Sequence, residues 1–244
     1  MPHKIALEIA VQDASGVRIA GDVGADRVEL AQALALGGLT PSPSMIELAL
    51  ERAAVTGVEV HVLIRPRAGG FRYDADELAV AVRDVRWATR AGAHGVVIGA
   101  LDETGALDRA AMVALTDAAG SASVTLHRAI DLTPDPVATL RAARELGLRR
   151  ILTSGGASAA IDGAETLRAL VAEAAGAIEV MAGGGVSAAS APALAALGVD
   201  ALHFSAKRTV IEPGGIRLGS ADSSSGGYET TDPDTARAIV AALA

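Results

Sequence analysis

Seven glycines, each placed between a helix-like stretch and a short apolar run, are the feature that most restricts how this chain can fold. They are Gly24, Gly57, Gly92, Gly120, Gly147, Gly176 and Gly198. Each lies where the end of a helix needs a residue in the left-handed conformation. Apolar runs follow at 28–30, 58–64, 96–98, 124–126, 151–152, 178–180 and 202–204, and an eighth run, 5–9, opens the chain. Seven helix-to-strand junctions joining eight strands predict an α/β fold, the (β/α)8 TIM barrel.

An open, doubly wound sheet is the alternative architecture. It explains the alternation of helices and strands equally well, but it does not explain the count of eight. For the barrel, the glycine junctions predict strands that begin near residues 4, 26, 58, 95, 122, 150, 177 and 199. The length of 244 residues suits one barrel of about 250 residues, so residues 1–244 are predicted to form a single domain.

Three dipeptides have the form of a helix start, in which a capping side chain precedes a proline at the first helical position. They are Ser42-Pro43, Thr133-Pro134 and Asp232-Pro233. The last of them predicts a final helix over 233–243. The segment 214–231 before it is rich in Gly and Ser and is predicted to be a mobile loop.

Composition excludes several classes of function. The formal net charge is −8, which argues against binding to a nucleic-acid backbone. The chain has no cysteine, and therefore neither a disulfide framework nor a thiolate metal site. No apolar run approaches the roughly 20 residues of a membrane span, and the N-terminus has no apolar core typical of a signal peptide. We therefore expect a cytoplasmic protein with no membrane contact.

The strands alternate between apolar residues and a second, largely polar set, and barrel strands alternate between the helical layer and the interior. The polar set is therefore predicted to point inward: Glu8, Glu29, His61, Arg65, His127, Glu179 and His203. Because unpaired buried charge costs several kcal/mol, these groups must pair with one another or face solvent. A self-neutralising network that only fills the interior is the alternative to a catalytic role.

Polar residues at strand ends usually form the site of a barrel. The candidate acid, base and anion-clamping groups are Glu8, Glu29, His61, Arg65, His127, Asp131 and His203. Arg65 and Arg67, after strand three, are a candidate clamp for a carboxylate or phosphate. His127, Arg128 and Asp131, after strand five, form a mixed set that could together serve as acid, base and orienting group, or simply form an ion pair within the loop.

A second candidate region lies beyond strands seven and eight. Gly183, Gly184 and Gly185 follow strand seven, and Ser187 is expected to open the next helix. Barrels often bind phosphate between these two loops, on backbone N–H groups at a helix N-terminus. The predicted ligand-binding residues are Arg67, Arg128, Ser154, Gly183, Gly184, Gly185, Ser205 and Lys207. The alternative for the glycines is a tight strand-to-helix turn.

Several motifs occur together in one order along the chain. They are LEI at 7–9, DRVEL at 26–30, GGLTPS at 37–42, IRPR at 64–67, LHRA at 126–129, ILTSG at 151–155, MAGGGV at 181–186 and LHFS at 202–205. This set resembles the copper homeostasis protein CutC family over residues 4–207. The resemblance implies a barrel fold, a cytoplasmic location, a homo-oligomer such as a dimer, and a role in copper tolerance.

One departure from the family pattern concerns copper. Many members have a cysteine after the first and second strand motifs, where this chain has Ala10 and Ala31. Copper(I) prefers thiolate and thioether ligands, so copper as a cofactor is implied by the resemblance alone. The remaining candidate donors are Met181 and the histidines, and the ligand inventory predicts no tight copper site.

Three functions therefore stay open at this point. The first is a copper-related binding or tolerance protein. The second is an enzyme that acts on a small anionic, perhaps phosphorylated, metabolite at the barrel mouth. The third is an inert structural barrel. The sequence names no substrate and does not decide whether the chain is an enzyme.

Overall fold

The computed structural model of the chain describes residues 4–211 and 227–243. Eight parallel strands close into a barrel in which every strand pairs with its neighbours in chain order and β1 pairs with β8. The strands are β1 Ala6–Val11, β2 Arg27–Leu30, β3 Glu59–Leu63, β4 Gly95–Ile98, β5 Ser123–Leu126, β6 Arg150–Thr153, β7 Glu179–Gly183 and β8 Ala201–Phe204. Each begins within two residues of its predicted start. The predicted TIM barrel is confirmed, and the open sheet is wrong.

Helices cover the outside of the barrel. They are α1 Ala14–Asp22, α2 Pro43–Thr56, α3 Ala75–Arg90, α4 Arg109–Ala119, α5 Pro136–Glu145, α6 Ala164–Ala174, α7 Ala191–Ala195 and α8 Pro233–Ala241. Two short 3-10 helices, Leu34–Leu36 and Arg128–Leu132, lie in the loops after β2 and β5. All seven junction glycines have positive φ, as the sequence pattern predicted, although ψ of −118° takes Gly120 out of the left-handed helical region.

Two of the three predicted helix starts are confirmed. Ser42 caps α2, and Asp232 caps α8, each with Pro at the first helical position. The start at Thr133-Pro134 is wrong, because α5 begins two residues later at Pro136. Asp135 is the residue that caps it, since its carboxylate accepts the N–H of Ala138 at 2.9 Å.

The prediction of a loop over 214–231 is wrong for its last five residues. Residues 227–231 form strand β10 (Gly227–Thr231), which pairs antiparallel with β9 (Lys207–Ile211). Alternating Tyr, Glu and Thr suit an extended strand, which the preceding Gly- and Ser-rich stretch concealed in the sequence. Residues 214–226 of the predicted loop lie within the part of the chain that the structure does not describe.

The apolar core lies mainly between the barrel and its helices. Ile9, Val28, Val60 and Ile98 face outward from their strands and are fully buried there. The barrel interior contains smaller apolar groups, one around Leu63 and one around Met181, with charged residues between and beside them. This arrangement places ionisable side chains along the barrel axis.

Candidate functional site at the barrel mouth

A pocket of about 200 Å³ opens at the C-terminal ends of the strands. Its walls combine apolar side chains with a small number of ionisable ones. The lining residues are Ala10, Glu29, Leu34, Gly37, Leu63, Arg65, Phe71, His127, Arg128, Leu152, His203 and Ser205. Five of the predicted strand-end and loop residues, namely Glu29, Arg65, His127, Arg128 and His203, are thus brought together with Ser205. We call this cavity the mouth pocket.

Glu8 lies beneath the mouth pocket and is fully buried. Its Oε1 accepts a hydrogen bond from His203 Nδ1 at 2.8 Å, and its Oε2 accepts one from Arg27 Nε at 3.0 Å. Burial by itself would raise the pKa of Glu8, but the hydrogen bond from His203 and the charges of His203 and Arg27 hold that pKa well below its usual range. Glu8 is therefore a permanent anion that orients two cations.

Glu29 and His203 form the ionisable pair that faces the pocket. His203 Nε2 lies 3.9 Å from Glu29 Oε2. Burial raises the pKa of Glu29 to about 7, against the lowering effect of His203. Burial disfavours the charged form of His203, yet its hydrogen bond to Glu8 and the charges of both carboxylates raise its pKa overall. The pair can therefore hold or release a proton near neutral pH, as acid–base catalysis and pH-dependent binding both require.

His127 is neutral and differs in role from His203. Its Nδ1 accepts the backbone N–H of Ala129 at 3.1 Å, which places the proton of the neutral ring on Nε2. Burial, followed by the nearby charge of Arg65, lowers the pKa of His127 to about 3. Nε2 is buried without a hydrogen-bond partner among the described residues. The ring of Phe71 packs against it at 4.5 Å between centroids, so His127 offers an unpaired N–H beside an aromatic wall.

Arg65 organises two loops at the rim of the pocket. Its Nη1 donates to the carbonyls of Leu36 at 3.0 Å and Gly38 at 2.8 Å, and its Nη2 donates to Gly69 O at 2.6 Å. Its Nε is buried and unpaired among the described residues. Arg65 thus lines the pocket while both of its terminal nitrogens donate to backbone carbonyls.

Arg67, the other half of the predicted clamp, lies in the loop after β3. It forms an ion pair with Glu77 and donates to the carbonyls of Gly70 and Arg72. It does not line the mouth pocket. The structure thus shows Arg67 as a residue that shapes its own loop, and its role in anion binding stays a prediction.

Asp131, predicted as an acid or orienting group, lies at the centre of a loop-to-strand network. It accepts hydrogen bonds from Arg128 Nε at 2.8 Å, Thr153 Oγ1 at 2.5 Å, and both the backbone and the hydroxyl of Ser154. Arg128 Nη2 also donates to Ser154 Oγ at 2.8 Å. Asp131 and Ser154 therefore hold Arg128 in place at the pocket, while Arg128 itself is 42% exposed.

The predicted anion site after β7 and β8 is only partly assembled. Gly183 belongs to β7, and Arg128 and Ser154 lie against Gly184. Ser187 closes a turn with Ser190, and α7 begins only at Ala191, so Ser187 does not open the helix. Lys207 forms an ion pair with Glu229 of β10 at 2.7 Å. Two residues of the predicted anion site remain. Ser205 lines the mouth pocket, and Gly185 faces Ala159.

Two of the predicted inward residues lie away from the mouth. His61 is fully buried in the barrel, with Nε2 at 3.3 Å from Glu59 Oε2. Glu179 lies at the start of β7, where it binds Arg149 and Arg150. Both residues face inward as the alternation predicted, but neither lines the mouth pocket.

Sequence reasoning missed Arg27 and Arg150, which are both buried inside the barrel. Arg27 lies two residues before Glu29, and Arg150 lies two residues before Leu152, so the period of two places them on the inward face. The apolar runs used to locate these strands began at 28 and 151, one residue too late to include either arginine. Extending each run by one residue would have found both.

Copper(I) does not fit the donor groups that the described residues offer. The chain has no cysteine, and the sulfur of Met181, which is fully buried within the barrel and not at its mouth, accepts an N–H of Arg27 at 3.6 Å. His203 Nδ1 and His127 Nδ1 are both in hydrogen bonds. No cluster of three or more His, Asp or Glu side chains within 4–211 and 227–243 is arranged to hold a metal ion. Copper(I) prefers thiolate and thioether ligands that are free to bind it, and the described residues offer no such set.

The raised pKa of Glu29 predicts a pH-dependent stability. Between its unfolded value of 4.5 and about 7, the folded state keeps a proton that the unfolded state has lost, so stability falls as the pH rises through this window. Replacing Glu29 by Gln removes this decline. We therefore expect the free energy of unfolding of the variant, relative to that of the parent, to rise by about 2 kcal/mol from pH ~5 to pH ~8. Urea unfolding at both pH values measures the difference. The exposed Glu145→Gln variant should show no such change, and a parallel pH profile for Glu29→Gln and the parent would contradict the assignment.

Comparisons with known proteins agree on the family. Residues 5–208 match the model of the CutC family. A CutC family protein of Xylella fastidiosa is 44% identical over 97% of this chain and 88% of its own length. The Xanthomonas campestris protein is 43% identical over 98% of this chain and 99% of its own length.

Solved structures give the same result. A candidate copper homeostasis protein CutC from Streptococcus agalactiae superposes with a TM-score of 0.79 at 30% identity, covering 82% of this chain and 98% of its own. Thiamine phosphate pyrophosphorylase from Pyrococcus furiosus, at 16% identity and a TM-score of 0.61, covers 99% of this chain and 96% of its own. It shares the fold alone.

No helix among the described residues is long and apolar enough to cross a membrane.

Proposed function

Because this chain belongs to the CutC family, we propose that it serves copper homeostasis, and that it does so by binding a small anionic organic ligand at the barrel mouth. The copper-related part rests on the family and on the name of its Streptococcus agalactiae relative. The ligand-binding part rests on the mouth pocket, and the donor set argues against copper(I) bound directly by the barrel. The family match favours this role over an unrelated metabolic enzyme.

The charge of the mouth pocket is the observation that carries the anionic ligand. Arg65, Arg128 and His203 line it, whereas Glu29 is its one carboxyl group among the lining residues. Since the pKa of Glu29 is raised to about 7, that carboxyl is protonated in a large share of molecules at neutral pH. An anion then meets three cationic side chains and the Ser205 hydroxyl. Arg128 and His203 already pair with Asp131 and Glu8, whereas Arg65 has no carboxylate partner among the described residues.

Two measurements test the proposal. Under strict reduction, competition with a copper(I) chelator is expected to reveal no site of sub-micromolar affinity. A thermal-shift screen of small carboxylates and phosphate esters is expected to find ligands whose affinity falls about tenfold in Arg128→Ala, because one charge-assisted hydrogen bond is lost. Arg141→Ala, which removes an exposed arginine paired with Glu173 on the helical layer, is the matched control. A tight copper(I) complex would overturn the proposal, and so would ligands that bind both variants equally.

The copper role needs a test in cells. In a host that lacks its own CutC protein and grows poorly in copper, the parent chain and Arg141→Ala are expected to restore growth. His203→Ala, which removes a pocket residue bound to Glu8, is expected to fail at equal protein abundance. Failure of the parent chain to restore growth would contradict a role in copper homeostasis.

The family resemblance also supports a cytoplasmic location and a homodimer as parts of this proposal. On the surface, Tyr228 of β10 is 54% exposed and offers an aromatic side chain for contact with another protein surface. We expect light scattering to report a dimer at micromolar concentration, and the Tyr228→Ser variant to dissociate more readily. A monomer at that concentration would count against the dimer.

A further inference from the structure

A second and larger cavity lies at the opposite end of the barrel. It has a volume of about 560 Å³ and lies where the strands begin. Its charged lining comprises Arg27, Arg149, Arg150, Glu59 and Glu179, and His94 and two serines complete the polar wall. The volume is in the range that small-molecule sites occupy. We call this cavity the basal cavity, and the proposed role of the mouth pocket does not use it.

The guanidinium groups in the basal cavity outnumber the carboxylates that pair with them. Arg149 Nε and Arg150 Nε share the single carboxylate of Glu179, at 3.0 Å and 2.7 Å. Glu59, the other lining carboxylate, lies 3.3 Å from His61. With Glu8, which pairs with Arg27, three carboxylates stand against the three arginines, but Glu59 is directed to a histidine and Glu179 is shared by two arginines.

Arg27 has donors to spare in this cavity. Its Nε binds Glu8, and its Nη2 reaches the thioether of Met181 at 3.6 Å, which is a weak acceptor. Its other N–H groups have no hydrogen-bond partner among the described residues, although the side chain is only 7% exposed. Burial, followed by the like charge of Arg27, lowers the pKa of Arg150, so the two cations are close enough to repel each other.

Ser123 provides an independent indication of a ligand. It stands at the start of β5, on the same inward face as Thr125, which binds Arg150 Nη1 at 3.1 Å. Ser123 lines the basal cavity, and its Oγ is buried without a partner among the described residues. A buried hydroxyl without a partner costs free energy unless a ligand or water satisfies it.

We propose that the basal cavity binds a phosphoryl group, held by Arg27, Arg149, Arg150 and the Ser123 hydroxyl. Arg27 on β2 and Arg150 on β6 come from opposite walls of an eight-stranded barrel, and Ser123 comes from a third strand. Donors that converge from several directions suit the tetrahedral oxygens of a phosphoryl group better than a planar carboxylate. The volume leaves room for a small organic group on that phosphate. The source is either free inorganic phosphate or a phosphate monoester.

The experiment titrates the full chain with inorganic phosphate, glycerol 3-phosphate and malonate at constant ionic strength, with heat as the readout. We expect saturable binding of at least one phosphate compound. Arg149→Ala is the first variant, because its side chain is 70% exposed and its loss should leave the fold intact. It should weaken binding about tenfold, since a charge-assisted hydrogen bond is removed. Tighter binding of the ester than of phosphate assigns the site to a monoester, and equal binding assigns it to free phosphate.

Three more variants distinguish a phosphoryl site in the basal cavity from a purely structural ion network and from the mouth pocket. Glu179→Gln releases both arginines, so it should bind phosphate severalfold more tightly, whereas an ion network without a ligand predicts no such gain. Arg18→Ala, which removes an exposed arginine paired with Asp22, should bind like the parent. Arg128→Ala removes a cation of the mouth pocket, so it reports any phosphate compound bound there. The part of the binding that Arg149→Ala weakens and Arg128→Ala does not belongs to the basal cavity. Failure at the mouth and failure here are thus distinguishable.

The proposal is overturned by any of three results. The first is the absence of saturable binding of either phosphate compound. The second is binding that Arg128→Ala weakens and Arg149→Ala does not, which would place phosphate at the mouth. The third is tighter binding of malonate than of both phosphate compounds. If Glu179→Gln does not fold, the comparison of Arg149→Ala with Arg18→Ala decides the matter alone.

Discussion

Replacing Glu8 by Gln is expected to lower the free energy of unfolding by about 3–5 kcal/mol, because it leaves buried cations without their counter-ion. Glu8 is fully buried and binds Arg27 and His203 at 3.0 Å and 2.8 Å. Gln keeps the shape of the side chain but not the charge. Urea unfolding near neutral pH measures the loss, and Glu145→Gln, which breaks an exposed ion pair with Arg109, should cost less than about 1 kcal/mol.

Acid pH provides a further check on Glu8. Its pKa is lowered in the folded state, so its stabilising contribution is fully present above the unfolded value of 4.5 and is lost as the pH falls towards the folded value. The difference between the parent and Glu8→Gln should therefore shrink on acidification below pH ~4.5. A difference that is small at neutral pH, or that grows on acidification, would show that Glu8 is not the counter-ion described above.

Replacing Arg65 by Lys is expected to destabilise the chain by about 3–5 kcal/mol, although the charge is retained. The guanidinium reaches three backbone carbonyls in two loops, those of Leu36, Gly38 and Gly69, and a single ammonium on a flexible stem cannot bind all three with the same geometry. Chemical unfolding measures the loss. Each carbonyl left without a donor at this buried position adds to it.

Arg67→Lys is the matched control for Arg65→Lys. Both arginines follow β3 within four residues, but Arg67 is 41% exposed and its ion pair with Glu77 is open to solvent. Arg67→Lys should therefore lower the free energy of unfolding by about 1 kcal/mol or less. If Arg65→Lys were as stable as the parent and altered only ligand affinity, Arg65 would be an anion clamp, as the sequence suggested, and not mainly a residue that joins two loops.

Two alanines account for the lack of thiolate ligands at the mouth of this barrel. Ala10 lines the mouth pocket, and Ala31 is fully buried in the apolar cluster with Leu63. Both positions thus face the barrel interior near its mouth. A thiolate pair there would meet the preference of copper(I), whereas methyl groups do not. The ligand-binding part of the proposed function therefore rests on the other groups of the mouth pocket.

The fold was determined by local patterns in the sequence. Glycines at helix ends, β-branched runs and the alternation of polar and apolar residues are properties of neighbouring residues, and each is decided within one or two turns of chain. The same alternation correctly placed Glu8, Glu29, His127 and His203 inside the barrel. The CutC family could also be identified from motifs alone, because their order along the chain does not depend on contacts.

Only the tertiary structure decided what those polar residues do. Whether Arg65 binds a ligand or joins two loops depends on which carbonyls its long side chain reaches. The sequence does not show this, because Leu36, Gly38 and Gly69 come from two separate loops. The same holds for Asp131, which binds Thr153 and Ser154 from another strand. Burial raises the pKa of Glu29 and lowers that of His127, and the nearby charges that add to these shifts come from residues far apart in sequence. The alternation indicates which residues are inside, and the packing of the closed barrel determines how their charges are paired.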